Sequence, residues 1–322
     1  MSESDQTTAP RVSVVVPAFN REHFIGTVLE SVQGQTLDAW ELVVFDDGST
    51  DGTVDVVATY VADDPRIRVT GGPNGGVASA RNRGFAETDR RTEFVIFLDS
   101  DDRWEPDALS SMVAVLDGHP EYVSVYGQAR CMDEEGRAIP GDDLEDAMRA
   151  RLRFEGRRVV AVPPDEPLTF SALAYHNWVT TPGLHLVRRS VLEQVGGFDS
   201  STDPADDWDL VVRISRHGPI AFHDQIVLHW RRHGTTLTMT SPRWKRAYYA
   251  VRHKMLTDPS NTDEHRRAAR VGYRWMTEEA IRQAHHAVRA RRLSEAVRHA
   301  GRSAQSVVQR FRAELALATT RH

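Results

Sequence analysis

Two strand-like runs in this chain end directly in carboxylates: Glu41 to Phe45 leads into Asp46-Asp47, and Phe94 to Leu98 leads into Asp99-Ser100-Asp101-Asp102. Carboxylates this close repel one another and shift one another's protonation unless a cation neutralises them. An oxygen-only donor set points to Mg2+ or Mn2+. Solvated turn acids could explain either cluster alone; two clusters in register at strand ends argue for a divalent ion. A third acidic pair, Asp206-Asp207, precedes the apolar-periodic stretch Trp208 to Ser215. Acids there serve as helix caps and are favoured by the helix dipole, and the same side chain can also do chemistry.

Positioning these acids falls to an alternation of strand and helix signals. Val12 to Val16 is a β-branched run closed by Pro17, the pattern of a strand buried on both faces. Ile25, Val28, Leu29 and Val32 follow at helical spacing, and Val54, Val57, Ala58 and Val61 repeat that period after a turn-rich segment, with a third strand over 67–70. A glycine-rich loop, Gly71 to Gly76, leads into a helix over 77–86 and then the strand 94–98. The alternation predicts a doubly wound α/β fold, with ligands gathered at the carboxyl ends of the strands. Further on, helices are expected over 107–116, 190–195 and 208–215, and strands over 122–126, 184–187 and 226–231. Residues 131–169, rich in acids, arginines and prolines, read as a long loop or lid carrying a short amphipathic helix near 143–154. Beyond Arg243 only helical patterning is found.

Composition narrows the class. With 322 residues, 40% hydrophobic and 27% charged, the chain can bury a sizeable core and is neither fibrous nor disordered. Its charge is asymmetric: residues 1–242 hold 22 Lys and Arg against 39 Asp and Glu, while residues 243–322 hold 18 against 7. The acidic main body argues against a nucleic-acid partner. The expected organisation is a loose tail over 1–10, a main domain over 11–242 and a basic helical extension over 243–322. A lone Cys131 fits a reducing compartment, and no signal-like or membrane-spanning run is found, so the expected location is cytoplasmic. The basic C-terminal helices leave room for peripheral contact with anionic lipid on the inner membrane face and for a homo-oligomer. A helical extension packed on the main domain is the preferred reading.

Four segments in order then carry a resemblance. Val12 to Asn20, Asp46-Asp47-Gly48-Ser49-Thr50-Asp51-Gly52-Thr53, Asn74-Gly75-Gly76 leading to Ala80-Arg81-Asn82, and Phe97 to Asp102 before Trp104-Glu105-Pro106-Asp107 resemble the nucleotide-binding half of family-two glycosyltransferases. The likeness extends over roughly residues 10–235. It implies a GT-A type fold, a doubly wound mixed sheet with a Rossmann-like nucleotide-binding half. It also implies an inverting mechanism, a nucleotide diphosphate sugar donor (a UDP-sugar foremost), a hydroxyl-bearing acceptor, and Mn2+ or Mg2+.

Carried over by this resemblance, Pro17 and Phe19 line the base pocket beside Asn20 and Asp46, and Asp47 hydrogen-bonds the base edge. Arg81 or Asn82 lies near the donor. Asp101 contacts ribose or metal and Asp102 is the direct metal ligand, although Asp99 with Asp101 also satisfies the Asp-Xaa-Asp spacing. His233, in an Arg-Xaa-His segment, reaches the metal or diphosphate. On the acceptor side, Asp206-Asp207-Trp208 stands where the family has Glu-Asp, which makes Asp207 the general base and shortens the reach of Asp206. Trp178, Asp206 and Trp208 complete the expected acceptor side, with a core role open for Trp178.

Competing classes leave different marks. No Gly-Xaa-Gly-Xaa-Xaa-Gly directly follows the first strand and no Gly-Lys-Ser or Gly-Lys-Thr loop exists, which disfavours a dinucleotide-dependent dehydrogenase and a P-loop ATPase. A nucleotidyltransferase would carry a glycine-rich basic loop where this chain has Pro17-Ala18-Phe19-Asn20-Arg21. A catalytically inactive nucleotide-sugar scaffold would bind donor without turnover.

Overall fold

The computed structural model describes residues 9–233, 242–290 and 292–319. Most of the expected N-terminal tail (residues 1–8), Gly234 and Arg291 lie outside the described residues. The first half is built as the periodicities predict. Strand β1 (Val12–Ala18) is buried at every position, and it is followed by α1 (Ile25–Gln33), β2 (Trp40–Asp46), α2 (Thr53–Asp63), β3 (Ile67–Gly71), α3 (Val77–Ala86) and β4 (Phe94–Phe97). Strands β1 to β4 pair in parallel, so all four carboxyl ends open on one side of the sheet. Helix α3 lies close against β1 and β2 because Gly84 has no side chain: a Cβ there would sit 2.7 Å from Val15 Cγ1.

After β5 (Arg103–Trp104), α4 (Ala108–Gly118) and β6 (Ser124–Met132) come α5 (Leu144–Arg149), the hairpin β7 (Leu152–Glu155) and β8 (Arg158–Ala161), and the single turn α6 (Phe170–Leu173). Then follow β9 (His185–Arg188), α7 (Arg189–Val195), α8 (Asp206–Ile214) and β10 (Ile220–Arg231). The sheet has eight strands in the order β3-β2-β1-β4-β9-β6-β10-β5. It is mixed: β9 is antiparallel to both β4 and β6, and β5 is antiparallel to β10. This is the GT-A type arrangement expected from the resemblance.

The helix expected near 143–154 is shorter, and the segment read as a loop or lid contains the hairpin β7–β8 instead. Gly156 takes φ +59° in the two-residue turn, a conformation that suits glycine. Phe154 is buried and meets Tyr175 and Trp275 edge-on at 5.4 and 6.3 Å. Packing against a helix more than a hundred residues away decides this element, so local periodicity does not disclose it.

The C-terminal segment forms α9 (Pro242–Thr257), α10 (Asp263–Arg289) and α11 (Leu293–Thr319). Helix α9 packs on α8, α10 on α6 and β7, and α11 on both of them. Lys254 Nζ stands 2.6 Å from Asp209 Oδ1 and 2.8 Å from Asp199 Oδ2. Arg252, 2% exposed, donates to the carbonyls of Ala174 (2.9 Å) and Tyr175 (3.0 Å) and lies over the Trp208 ring. Among the described residues, no helix is long and apolar enough to cross a membrane. Replacing Arg252 with alanine strips two buried carbonyls of their donors, at roughly 1–3 kcal/mol each. Arg252→Ala is therefore expected to lower unfolding free energy by about 2–4 kcal/mol in a urea titration. A change below about 0.5 kcal/mol, the range of ordinary surface substitutions, would mean that α9 is not locked to the body.

Candidate active site

The strand-end acids divide their tasks. Asp47, 3% exposed, accepts from the backbone N–H groups of Gly75 and Gly76, both at 2.9 Å. It clamps the glycine-rich loop against the end of β2, and each oxygen keeps a further acceptor direction. Asp46 is half-buried and accepts from Ser49 N at 3.1 Å. Pro17 is buried within β1 beside Phe45, whereas Phe19 is 43% exposed and presents its ring at the loop. Asn20 takes φ +53° and its Oδ1 accepts from Thr50 N at 2.8 Å, which pins the β1–α1 loop to the turn after β2.

Past β4 the three aspartates face different partners. Asp99 accepts from Arg81 Nη2 at 2.7 Å and from Thr181 Oγ1 at 3.3 Å. Asp101 Oδ2 lies 2.9 Å from His233 Nε2 and 3.6 Å from Arg21 Nε. Asp102 is fully buried; its Oδ1 accepts from Arg231 N at 2.9 Å and its Oδ2 has no partner. Burial, followed by the charge of Asp99, raises the pKa of Asp101, partly offset by His233 and Arg21. Asp102 is pushed well above the ordinary carboxylate range by burial and then by Asp101 and Asp99.

These residues fit a divalent cation. Neighbouring carboxylates, a buried carboxylate oxygen without a donor, and an imidazole nitrogen beside them form a donor set whose negative charge Arg21 and Arg231 only partly offset. Among the described residues, no three His, Cys, Asp or Glu side chains are assembled as a metal cage.

Arg81 joins the strand ends to the second half of the chain. Its side chain is buried, with Nη2 on Asp99 and Nη1 on Asp206 Oδ2 at 2.9 Å. Burial works against its charge, and Asp99 and Asp206 more than compensate. Asp206 and Asp207 occupy the first two positions of α8. Asp207 is half-buried; Trp208 N donates to its Oδ1 at 2.6 Å, and Asn177 Nδ2 lies 3.5 Å from its Oδ2. Its pKa is pushed up to about 8, first by burial and then by the Asp206 carboxylate.

Three expected site residues make structural contacts, Trp178 in the core role left open for it. Asn82 spends both ends of its amide on the Phe198 backbone, Nδ2 to Phe198 O and Oδ1 from Phe198 N, each at 2.8 Å. It braces α3 to the Gly196-Gly197 turn. Trp178 is 8% exposed, its Nε1 is satisfied by the carbonyls of Leu152 and Ala172, and its ring stacks on Tyr175. Trp208 is 2% exposed with Nε1 on Leu173 O. Both tryptophans are core residues, because each buried ring needs an apolar bed and one acceptor for its N–H.

Three neighbours of the acids were not singled out from sequence. Arg231 donates from Nε to Asp101 O at 2.7 Å and from Nη1 to Glu134 O at 2.6 Å, which ties the acids to the turn after β6. Phe24 stacks on His233 with centroids 5.2 Å apart, and Arg21 faces Asp101. The one local signal for Arg231 is its place in the Arg-Xaa-His segment.

The family model for glycosyl transferase family 2 matches residues 13–196. The chain belongs to that family. It is 28% identical to a hyaluronan synthase from Pasteurella multocida over 236 residues, covering 73% of this chain and 22% of that protein. It is 35% identical over 145 residues to a GalNAc(5)-diNAcBac-PP-undecaprenol beta-1,3-glucosyltransferase from Campylobacter jejuni, covering 42% of this chain and 44% of the other. The chain thus spans under half the length of these curated relatives. Among solved structures, residues 1–349 of S. aureus TarS in complex with UDP-GlcNAc superpose with TM-score 0.63 at 18% identity, covering 92% of each chain. The mannosyltransferase PcManGT of Pyrobaculum calidifontis, in complex with GDP-Man and Mn2+, gives 0.62 at 20% identity, covering 98% of this chain and 81% of that one. These likenesses show a shared fold, which the family 2 segment and the strand-end acids occupy together.

Asp102→Asn is expected to leave the metal-free melting temperature unchanged or higher, since a buried charge with one oxygen lacking a donor is removed while the oxygen that accepts from Arg231 N is kept. The rise in melting temperature on adding Mn2+ should be lost in the variant. A full Mn2+ response in Asp102→Asn would remove Asp102 from the ligand set.

Proposed function

We propose that this family 2 chain is an inverting glycosyltransferase which moves a sugar from a nucleotide diphosphate, a UDP-sugar foremost, to a hydroxyl acceptor. Residues 11–242 are the catalytic unit in this reading and 243–322 its helical extension. The observation that carries it is Asp207: a half-buried carboxylate with a pKa pushed up to about 8, standing at the start of α8 one residue from the Asp206–Arg81–Asp99 bridge to the strand ends.

Phe19 offers a face for the base, and the β1 and β2 ends with Asp46 and Asp47 frame the nucleotide. A divalent ion held by Asp101, Asp102 and His233 would neutralise charge developing on the departing diphosphate. Asp207 takes the proton of the acceptor hydroxyl as that oxygen attacks the anomeric carbon. The bond from the anomeric carbon to the diphosphate oxygen breaks, the electron pair leaves with the nucleotide, and the anomeric configuration inverts. A raised pKa makes Asp207 a stronger base than an ordinary carboxylate, and Asn177 beside it helps to orient it. Arg81 holds Asp206 and Asp99 as a positioning residue.

Asp207 must be ionised to act, so kcat/KM should climb with pH through the range below about 8 and then level off. Asp207→Asn should lower transfer by roughly 10²–10⁴-fold, the usual contribution of a general base, and abolish that rise. The measurement is sugar transfer with Mn2+, using donors chosen by thermal shift across a nucleotide-sugar panel. An Asp207→Asn enzyme that transfers at the parent rate sinks the mechanism, and donor binding without turnover by the parent favours a scaffold.

A further inference from the structure

Away from the acids lies a groove of about 1200 Å³, walled by the hairpin β7–β8 and by α10 and reaching the residues just past the end of α8. Seven arginines line it against three glutamates, a local excess of basic side chains on a main body that is acidic. Helix α10 contributes Arg267, Arg270 and Arg274, three and four residues apart and thus on one face. Opposite stand Arg153 and Arg157 of the hairpin, and Arg216 lies over the buried Phe170 ring at 5.4 Å. Much of this charge is spent: Arg153 pairs with Glu166, Arg216 with Asp258, Arg270 and Arg310 with Glu314, and Arg274 with Glu278. Exposed Arg267 makes no ion pair or hydrogen bond among the described residues. The half-buried rings of Trp275 and of His265, which stacks on buried Phe170 at 4.4 Å, supply aromatic surface between the arginines.

The groove exceeds the ~300–1,000 Å³ of a small-molecule site, so it has room for a chain. Arginines clamp carboxylate, sulfate or phosphate groups in bidentate fashion, and aromatic rings give an apolar face to sugar rings. Asp207 sits at the start of α8 and Ser215 just past its end, eight residues on, so along the helix axis the groove's edge lies roughly 12 Å from the base at 1.5 Å per residue. We propose that this groove is a second carbohydrate site that holds the distal part of an anionic glycan acceptor whose reacting end lies at Asp207. The inference rests on the transferase reading for its place in the reaction, but its binding test does not require turnover.

The test uses the full chain and a fluorescein-labelled dextran sulfate, read by anisotropy, with neutral dextran of equal length and inorganic pyrophosphate as competitors. Dextran sulfate should bind at least tenfold more tightly than neutral dextran, and pyrophosphate should not displace it. The double variant Arg267→Glu/Arg274→Glu on one wall, and separately Arg157→Glu on the other, should each weaken binding at least tenfold while donor hydrolysis with Mn2+ is unchanged. Two wall variants keep the test decisive if one fails to fold. Arg298→Glu/Arg302→Glu on α11, outside the groove, should bind as the parent does. The proposal is overturned if the wall variants bind like the parent, if the α11 variant loses as much as they do, if neutral dextran binds equally, or if UDP or pyrophosphate displaces the polymer. Charge-dependent, wall-dependent binding by a chain that hydrolyses no donor would uphold the groove and defeat the transferase reading; transfer with unaffected wall variants would do the reverse.

Discussion

Arg81 is buried between two carboxylates from opposite parts of the chain, Asp99 at the end of β4 and Asp206 at the start of α8, at 2.7 and 2.9 Å. A guanidinium taken out of water is tolerated only with its charge matched, and breaking a buried pair by removing one partner costs ~3–5 kcal/mol. The strand-end acids and the acids at the start of α8 are therefore held in one fixed relation. Asn82, one residue along α3, makes a second tie to the same region through the Phe198 backbone. Helix α3 is the strut on which both ties are mounted, and Gly84 lets it lie tightly on β1 and β2.

The rest of the site follows from an imbalance of charge that this bridge does not relieve. Asp101 and Asp102 are each raised by burial and by neighbouring acids, with the nearby guanidiniums of Arg21 and Arg231 and the hydrogen bond from His233 supplying only part of what two carboxylates need. Acids that could have been replaced by neutral side chains at lower cost are the mark of a site whose charge serves a ligand. Asp207 is raised in the same way, by burial and by the adjacent Asp206 carboxylate.

The C-terminal helices contribute what the acidic body lacks. Their cations are used in two ways: Lys254 and Arg252 lock α9 to α8 and α6, and the arginine face of α10 lines a groove with the β7–β8 hairpin. The exposed Val297, Val307, Val308 and Phe311 of α11 form an apolar surface that none of these contacts covers.

By itself the sequence determined the parallel half of the sheet, the placement of Asp46, Asp47, Asp99, Asp101 and Asp102 at strand ends, and Asp206-Asp207 at a helix start. All of these are written in runs of a few residues: an apolar run that ends in an acid, or an acid that precedes a 3.6-residue period. Only the tertiary structure decided that Asn82 is a brace, that Trp178 and Trp208 are core, that Asp47 clamps the glycine loop, and that Arg231 reaches Asp101 and Asp102 from about 130 positions away. The hairpin β7–β8 belongs with these, since it depends on Phe154 meeting Trp275. Each is a contact between segments far apart in the chain, and burial, charge pairing and ring packing at such contacts are set by which surfaces the fold brings together.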